Sequence, residues 1–219
     1  MVKVKTEAEL ARRSYHSPVR DEAAKRTRVT IITAAREMFL ERGYAASSIT
    51  DIAKAAGLAR PTVLTVFGTK AALLNAVVDV AMAGDDEPMP VAAHGWFQPV
   101  YQAKDSASCL AAYAHVCMLI ARRSAEIVEV VRRASDDSDD VLILWQQLQD
   151  NRRRGAASIV MHVKTLGPLA PGLTTQRATD LLWLLNDQTH YQSLVTACGW
   201  SEKAYESWLA EHMKGTLLT

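Results

Sequence analysis

Apolar residues recur at helical spacing along most of this chain, whereas the alternation of apolar and polar residues that is typical of strands is scarce. In the first strongly periodic segment, Ile31, Ala35, Met38 and Phe39 lie at i, i+4, i+7 and i+8, which places them along one face of a helix. The pattern predicts a first helix from about residue 25 to residue 42, with this apolar stripe facing a core.

Glycines and capping residues divide the next segment into short helices. Gly43 can take the left-handed conformation that closes the first helix. Ser48 and Asp51 have the spacing of a capping box, which predicts the start of a second helix, and Gly57 ends that helix after two turns. A third helix is predicted over Arg60–Phe67. The second and third helices, joined by a glycine-containing turn, form the helix-turn-helix pattern.

A fourth helix follows directly on the third. Gly68 stops the third helix, Thr69 caps the fourth, and the fourth continues from residue 70 to about residue 82. Two helices of two turns bury too little surface to be stable alone, so the first and fourth helices must pack on them. Val63 and Phe67 should face that shared core, which leaves the opposite side of the third helix outward.

The distribution of charge indicates which kind of molecule the outward side of the third helix contacts. Residues 1–83 carry 13 Lys and Arg against 8 Asp and Glu, whereas residues 84–219 carry 12 against 16, so only the first part is basic. An α-helix fits the major groove of DNA, and helix N-termini favour phosphate. The candidate DNA-binding residues are Ser47, Ser48, Arg60, Pro61, Thr62, Leu64, Thr65 and Lys70.

The segment between residues 31 and 74 resembles the DNA-binding domain of TetR-type (tetracycline-repressor-like) transcriptional regulators. The residues that carry the resemblance are Ile31, Ala35, Phe39, Gly43, Tyr44, Ser48, Ile52, Ala53, Ala56, Gly57, Leu58, Thr62, Val63, Phe67, Gly68, Thr69, Lys70, Leu73 and Leu74. The resemblance implies a homodimer that binds a double-stranded DNA operator and releases it when a small molecule enters the C-terminal domain. It also implies phosphate contacts for Ser47, Ser48 and Lys70, and recognition-helix positions for Thr62 and Thr65.

Three residues depart from the family pattern. Leu64 stands where the family usually has a Tyr that touches the DNA backbone, Ala59 stands where a Ser commonly caps the third helix, and Ala71 replaces a frequent Glu. These departures leave the individual phosphate contacts open. Leu64 has the chemistry to contact a thymine methyl group instead.

The N-terminal residues 1–24 are polar and mixed in charge. The basic residues that lead into the first helix are Arg12, Arg13, Arg20, Lys25, Arg26 and Arg28. Two interpretations stay open: a flexible, solvated tail, or an arm that reaches phosphates or a minor groove.

The second half of the chain predicts a helical bundle. A linker rich in acidic residues, Gly and Pro spans residues 84–90, and amphipathic segments follow it. The predicted helices span residues 106–123, 125–134, 141–166, 174–186 and 201–217, with a short one over 191–197. We therefore expect an all-α protein with an arm (1–24), a helix-turn-helix domain with its linking helix (25–83) and a bundle for ligand binding and dimerisation (84–219).

Aromatic and apolar residues with interleaved polar groups in the bundle predict a small-molecule cavity. The candidate lining residues are Trp96, Phe97, Tyr101, Tyr113, His115, Met118, Trp145, Gln149, Trp183, Asn186 and His190. The alternative is that most of these side chains only fill the core. The effector expected from this lining is apolar or aromatic.

The last two large helices predict a dimer interface. Residues 181–185 are apolar at every position, and a helix that is apolar all round is buried by more than its own domain. The candidate interface residues are Leu181, Leu182, Leu185, Tyr205, Trp208 and Leu209. The resemblance points to the same two helices.

Other classes of protein find little support in the sequence. The chain opens without an apolar leader, and no apolar run reaches the ~18 residues of a membrane span, so we expect a cytoplasmic protein. Cys109, Cys117 and Cys198 show no paired spacing, and neither the acidic run 136–140 nor the histidines have a metal-ligand pattern. We expect no metal and no cofactor.

The leading hypothesis from sequence is a ligand-responsive regulator, most simply a repressor, that binds a pseudo-palindromic site as a homodimer. Two alternatives are kept: a dimeric DNA-binding regulator that needs no ligand, and an all-α enzyme. No phosphate-binding loop, dinucleotide fingerprint, His-Glu-x-x-His or nucleophile-elbow motif supports the enzyme.

Overall fold

The computed structural model describes residues 18–219, which fold into helices and turns without a strand. The predicted all-α class is confirmed. The helices that precede the linker are α1 (Pro18–Ala46), α2 (Ile49–Ala55), α3 (Arg60–Phe67) and α4 (Lys70–Ala83). Those that follow it are α5 (Gln98–Gln102), α6 (Ser106–Ala134), α7 (Asp139–Leu166), α8 (Thr175–Leu185), α9 (Thr189–Tyr191) and α10 (Glu202–Leu217).

The helix starts and stops of the first part agree with the sequence signals. Gly43 breaks the regular geometry of α1 with a φ of 77°, and Gly68 closes α3 with a φ of 75°. The Thr69 hydroxyl caps α4 by accepting a hydrogen bond from the amide of Ala72 at 3.0 Å. One boundary was wrong: α1 begins at Pro18, so residues 18–24 are helical and extend the first helix toward the linker. The rest of the predicted arm lies outside the described residues.

The clearest departure in the second part concerns α6. The sequence predicted two helices with a break at Ser124, but Ser106–Ala134 is one continuous helix. The Ser124 hydroxyl donates to the carbonyl of Ile120, one turn earlier, at 2.7 Å, so this serine is accommodated within the helix. The unbroken helix runs from the core of the bundle to the DNA-binding part.

Two cores hold the chain together, and the first is shared between the halves. Phe39, Ile52 and Leu73 of the helix-turn-helix part are fully buried in a cluster that also contains Ile127 of α6 and Leu144 of α7. The linker after residue 83 therefore separates the halves along the chain but not in packing. The second core joins α5, the first half of α6, the second half of α7, α8 and α10.

An ion pair with a bifurcated hydrogen bond fastens α1 to the linker. The Nε of Arg28 donates to both carboxylate oxygens of Asp86, at 3.0 and 2.8 Å. The guanidinium of Arg28 also lies 4.9 Å from the ring centre of Phe67 at the end of α3. Arg28 therefore connects α1, α3 and the linker, which fixes the orientation of the helix-turn-helix part on the bundle.

Candidate DNA-binding surface and interior polar cluster

The turn between α2 and α3 is built from backbone hydrogen bonds. Gly57 adopts a φ of 66°, which lets the amide of Leu58 donate to the carbonyl of Ala53 at 2.9 Å. Pro61 lies in the first turn of α3, where its missing N–H costs nothing. Ala59 precedes α3 and supplies no side-chain hydrogen bond to its N-terminus, as its methyl group dictates.

The outward face of α3 contains most of the candidate base-contacting residues. Arg60, Pro61 and Thr65 are exposed, and Thr62 and Leu64 are half-buried. The exposed Val66, which the sequence did not single out, adds an apolar group to this helix. The face therefore offers a guanidinium, hydroxyls and apolar carbons within two helical turns, which is the chemistry that base edges require.

The two serines before α2 have different environments. Ser48 is exposed and caps α2: its hydroxyl accepts from the amide of Asp51 at 3.0 Å and donates to the Asp51 carboxylate at 2.5 Å. The side chain of Ser47, in contrast, is fully buried, and its hydroxyl donates to the carbonyls of Gly43 and Met38 at 2.7 and 3.2 Å. Ser47 therefore supports the turn from inside, and we remove its side chain from the expected phosphate contacts.

Lys70 is held in place at the N-terminus of α4. Its Nζ donates to the carbonyl of Tyr44 at 2.9 Å and lies 4.0 Å from the centre of the Tyr44 ring. Partial burial lowers the pKa of Lys70 below its usual value. Two N–H donors of the ammonium group remain for an anion, and the α4 dipole favours one there.

Tyr44 connects this lysine to the bundle. Burial raises the pKa of the Tyr44 hydroxyl, a hydrogen bond with the Ser138 side chain opposes that rise, and the nearby Asp140 carboxylate adds to it. Ser138 and Asp140 lie at the start of α7. The turn between α6 and α7 therefore contacts the tyrosine that positions Lys70.

The polar cluster inside the bundle is centred on Arg152 of α7, a residue that the sequence analysis missed. Its guanidinium donates to the Gln149 side chain at 2.7 Å, the Trp183 carbonyl at 2.6 Å and the Asn186 side chain at 3.1 Å. It also forms an ion pair with Asp187 at 2.8 Å. Because positions 145, 149 and 152 share one helical face, Arg152 could have been found from its spacing to the aromatic and amide residues.

A second layer of contacts extends this cluster toward α6. The Asn186 amide donates to the Tyr113 hydroxyl at 2.9 Å, and burial raises the pKa of that hydroxyl well above its usual value. Burial likewise raises the pKa of the neighbouring Cys117 thiol to about 12, so this cysteine stays a thiol at neutral pH. The cluster is therefore a connected hydrogen-bond network.

A cavity of about 30 Å³ lies beside the network. It is lined by Ala125, Val128, Glu129, Arg132, Trp145, Gln149, Arg152, Asp187, Gln188, Thr189 and Gln192. Its volume is that of about one water molecule, and its wall contains more polar than aromatic side chains. The predicted members Trp145 and Gln149 line this cavity.

The other predicted pocket residues are dispersed. Among them, Tyr113, Trp183 and Asn186 belong to the Arg152 network, while Phe97 and Met118 are buried in the second core. His115 is exposed and pairs with Glu206 of α10 at 2.9 Å, because its helix face points away from the core. Three further members lie elsewhere: Trp96 beside His94, the exposed Tyr101 beside His162, and His190 against Trp208.

The predicted dimer residues divide into two groups. Leu182, Tyr205 and Leu209 are almost completely buried in the protomer's own second core, so they are not on a surface that a partner reaches. Leu181, Leu185 and Trp208 are half-buried. The exposed apolar residue of α8 is instead Leu184, which is 56% accessible and which the sequence analysis did not select.

Two further features of the described residues bear on other classes of function. Within residues 18–219 no three His, Cys, Asp or Glu side chains are grouped to hold a metal ion. In the same range no single helix has the length and apolar composition to cross a membrane; α3 and α4, which meet at 68°, reach that composition only when taken together.

The segment from α1 to α4 is similar in sequence to known proteins. Residues 31–77 match the family described as "Bacterial regulatory proteins, tetR family". The HTH-type transcriptional regulator TtgR of Pseudomonas putida is 41% identical over 58 residues, which is 26% of this chain and 28% of the relative. The chain therefore matches just over a quarter of that relative's length.

Solved structures extend the likeness to nearly the whole chain at the level of the fold. NalD of Pseudomonas aeruginosa, described as the secondary repressor of the MexAB-OprM multidrug efflux pump, has a TM-score of 0.67 at 18% identity, covering 90% of this chain and 98% of NalD. The fatty acid degradation regulator FadR from Bacillus halodurans has a TM-score of 0.63 at 16% identity, covering 91% and 96%. The likeness to the tetR family in sequence covers residues 31–77, and these solved structures share a fold with 90–91% of this chain. The matched segment contains α2, α3 and the start of α4.

Proposed function

We propose that this chain is a TetR-type transcriptional repressor that binds a pseudo-palindromic DNA site as a homodimer in the cytoplasm and responds to a small effector. The observation that carries the proposal is the outward face of α3, where Arg60, Pro61 and Thr65 are exposed beside the capped N-terminus of α2 and the positioned ammonium of Lys70. Groups whose chemistry suits base edges and groups whose chemistry suits phosphate are therefore both available on α2, α3 and the start of α4, which supports binding in a DNA groove. The proposal includes no catalytic activity.

The dimer face proposed here is a partly exposed strip on α8, α9 and α10. It begins at Leu184, whose carbonyl lies 3.0 Å from Nε2 of His190, and His190 contacts the ring of Trp208. Trp208 in turn lies 4.6 Å, centre to centre, from the ring of the exposed His212. A second copy related by a twofold axis would cover this strip with the same strip.

The coupling route proposed here is the α6–α7 hairpin. Ile127 and Val131 of α6 and Val141 of α7 belong to the same core as the helix-turn-helix residues, and the hairpin turn contacts Tyr44. A shift of α6 caused by a ligand therefore changes the position of α4 and of Lys70 relative to α3. Reciprocity requires that operator DNA weaken effector binding by the factor by which the effector weakens DNA binding.

The first experiment is selection of DNA fragments that the purified protein retains at physiological salt. We expect enrichment of inverted repeats whose half-sites are about one helical turn, ~34 Å, apart. Retention of fragments without any common sequence would contradict a sequence-specific regulator.

The dimer is tested with Leu184→Arg, which places a charge in the proposed strip. We expect the variant to sediment as a monomer and to bind the selected repeat more weakly, because one half-site contact is lost. Ile143→Arg on α7 is the matched control, since Ile143 is exposed to a similar extent (53%) outside the strip. A Leu184→Arg variant that remains dimeric would show that the strip is not the interface.

The internally satisfied polar network and the small volume of the cavity favour a second candidate, a dimeric DNA-binding regulator that needs no effector. The network around Arg152 is hydrogen-bonded within the protein, and the adjacent cavity holds about 30 Å³. The two candidates are separated by whether any small molecule changes the affinity for the selected DNA.

A further inference from the structure

We propose that the effector is a small organic carboxylate whose anionic group replaces Asp187 as the charged partner of Arg152. This inference rests on the proposed function, because it names the class of molecule that the interior site accepts. It departs from the apolar or aromatic effector expected from the sequence, since most of the residues that line the cavity are charged or carry a side-chain amide, and Arg152 is among them.

Arg152 needs a negative partner inside the bundle. Its side chain is 17% accessible, and its guanidinium is charged at any physiological pH. Three of its acceptors, on Gln149, Trp183 and Asn186, are neutral oxygens, and the carboxylate of Asp187 is the anionic one. Loss of that carboxylate without replacement leaves an uncompensated buried charge, which is strongly unfavourable.

Asp187 is the partner of Arg152 that a ligand carboxylate can replace. Arg152 lies in the middle of the long helix α7 and is also held by neutral hydrogen bonds, whereas Asp187 lies between α8 and α9 and is 29% accessible. Its other carboxylate oxygen accepts from the amide and hydroxyl of Thr189 at 2.9 and 2.7 Å. Rotation of Asp187 toward solvent therefore frees Arg152 and loosens the start of α9 together.

The cavity has groups for the rest of such a molecule. Gln188 and Gln192 present amides at the wall, and Trp145 presents apolar surface. The indole Nε1 of Trp183 is buried and has no hydrogen-bond partner within residues 18–219, so the cluster contains one donor that an oxygen acceptor would satisfy. Because the volume admits about one water molecule, entry of a larger molecule requires the displacement of a side chain.

A cation is a poorer fit to the same wall. Glu129, the second carboxylate of the lining, is held by Arg132 at 2.6 and 2.8 Å and by Arg133 at 2.7 Å, which lower its pKa to about 2. A cationic ligand would have to separate Glu129 from these arginines or Asp187 from Arg152. A carboxylate ligand only has to separate Asp187 from Arg152, and it then neutralises the charge of Arg152 itself.

The segment that follows Asp187 is joined to α6 by two hydrogen bonds. The side chain of Gln188 accepts from the Ser124 hydroxyl at 3.3 Å, and the Gln192 amide donates to the carbonyl of Ala125 at 2.9 Å. Ile127 begins the part of α6 that packs in the core shared with the DNA-binding helices. Displacement of the segment after Asp187 therefore acts on the helix that supports α4.

The test uses the full chain and compares sodium benzoate with benzamide, which has the same shape without the charge, and with benzylamine as the cation. Binding is measured by calorimetry at constant ionic strength for wild type, Asp187→Asn and Arg152→Gln. In Asp187→Asn the competing carboxylate is gone while its shape is kept, so we expect benzoate to bind at least about tenfold more tightly than to wild type. Arg152→Gln should lose the preference for benzoate over benzamide.

The outcomes separate this inference from the function on which it rests. Equal binding of benzoate and benzamide by Asp187→Asn, or tighter binding of benzylamine by wild type, would overturn it. No benzoate binding by Asp187→Asn would overturn it as well, even if Arg152→Gln fails to fold. Sequence-specific DNA binding, measured on the same wild-type preparation, tests the proposed function by itself, whatever the calorimetry shows.

Discussion

The two cationic regions of this chain are built in opposite ways. On α3 and at the start of α4, Arg60 is exposed and Lys70 keeps N–H donors for an outside anion. Inside the bundle, the donors of Arg152 are directed to Gln149, Trp183, Asn186 and Asp187 of the same chain. The difference is that the first region leaves cationic donors open to solvent, whereas the second satisfies its donors within the chain.

The first core, which contains residues of α1–α4 and of α6 and α7, connects these two regions. Phe39 is fully buried where α1 meets the other helices of the first core, which includes Ile127 of α6. Phe39→Ala should lower the free energy of unfolding by about 3–5 kcal/mol, because it removes a large buried group and leaves a cavity. Urea unfolding followed by tryptophan fluorescence measures this change.

Val29→Ala is the control for Phe39→Ala. Val29 lies on the same helix and is 48% accessible, so we expect a change of within about 0.5 kcal/mol. Equal effects of the two substitutions would show that α1 is not part of the core that joins the two regions.

The prediction with the next largest effect separates base contacts from phosphate contacts on the candidate DNA-binding surface. Arg60→Ala should weaken binding to the selected site by about 1–3 kcal/mol and relax the preference at one base pair, because Arg60 is proposed to contact a base edge. Fluorescence anisotropy with the selected site and its single-base variants measures both quantities.

Lys70→Ala provides the contrast to Arg60→Ala. We expect it to weaken binding to all sequences alike and to reduce the slope of log affinity against log salt by about 1, because Lys70 is proposed to contact phosphate. If Arg60→Ala behaves in this uniform way instead, Arg60 contacts the backbone and the base contacts lie elsewhere on α3.

The smallest prediction concerns the missing cap of α3. Ala59 has the extended backbone of an N-cap residue but no side-chain acceptor. Ala59→Ser should therefore raise the free energy of unfolding by about 1 kcal/mol. Ala55→Ser, at an exposed position within α2, is the matched control and should not stabilise the protein.

The first region could be predicted because its signals are local. Ser48 and Thr69 act on residues within one turn of themselves, so their spacing alone placed the starts of α2 and α4 that the structure confirms, and Gly43 marks the kink near the end of α1. The buried Ser47 shows the limit of such signals. Its hydroxyl is bonded to Met38, nine positions away, and nothing in the local pattern indicates that contact.

For the bundle, the sequence predicted the helical fold class but not the site inside it. Its site depends on residues that meet across long separations, such as Arg152 with Asp187 and Asn186 with Tyr113. Periodicity identified aromatic residues that share helices, but it could not determine which faces turn inward, so His115 was selected although it lies on the surface. Three of the predicted interface residues, Leu182, Tyr205 and Leu209, were misplaced for the same reason, since they face the protomer's own core.

The measurement that tests the central claim most directly compares the affinity of the wild-type protein for a selected inverted repeat with its affinity for a scrambled duplex of the same length and composition, at physiological salt. A specific regulator is expected to prefer the repeat by about 10³-fold or more. The preference should fall sharply in Arg60→Ala and persist in Lys70→Ala. Equal affinity of the wild-type protein for the two duplexes would contradict the assignment of α3 as a sequence-specific recognition helix.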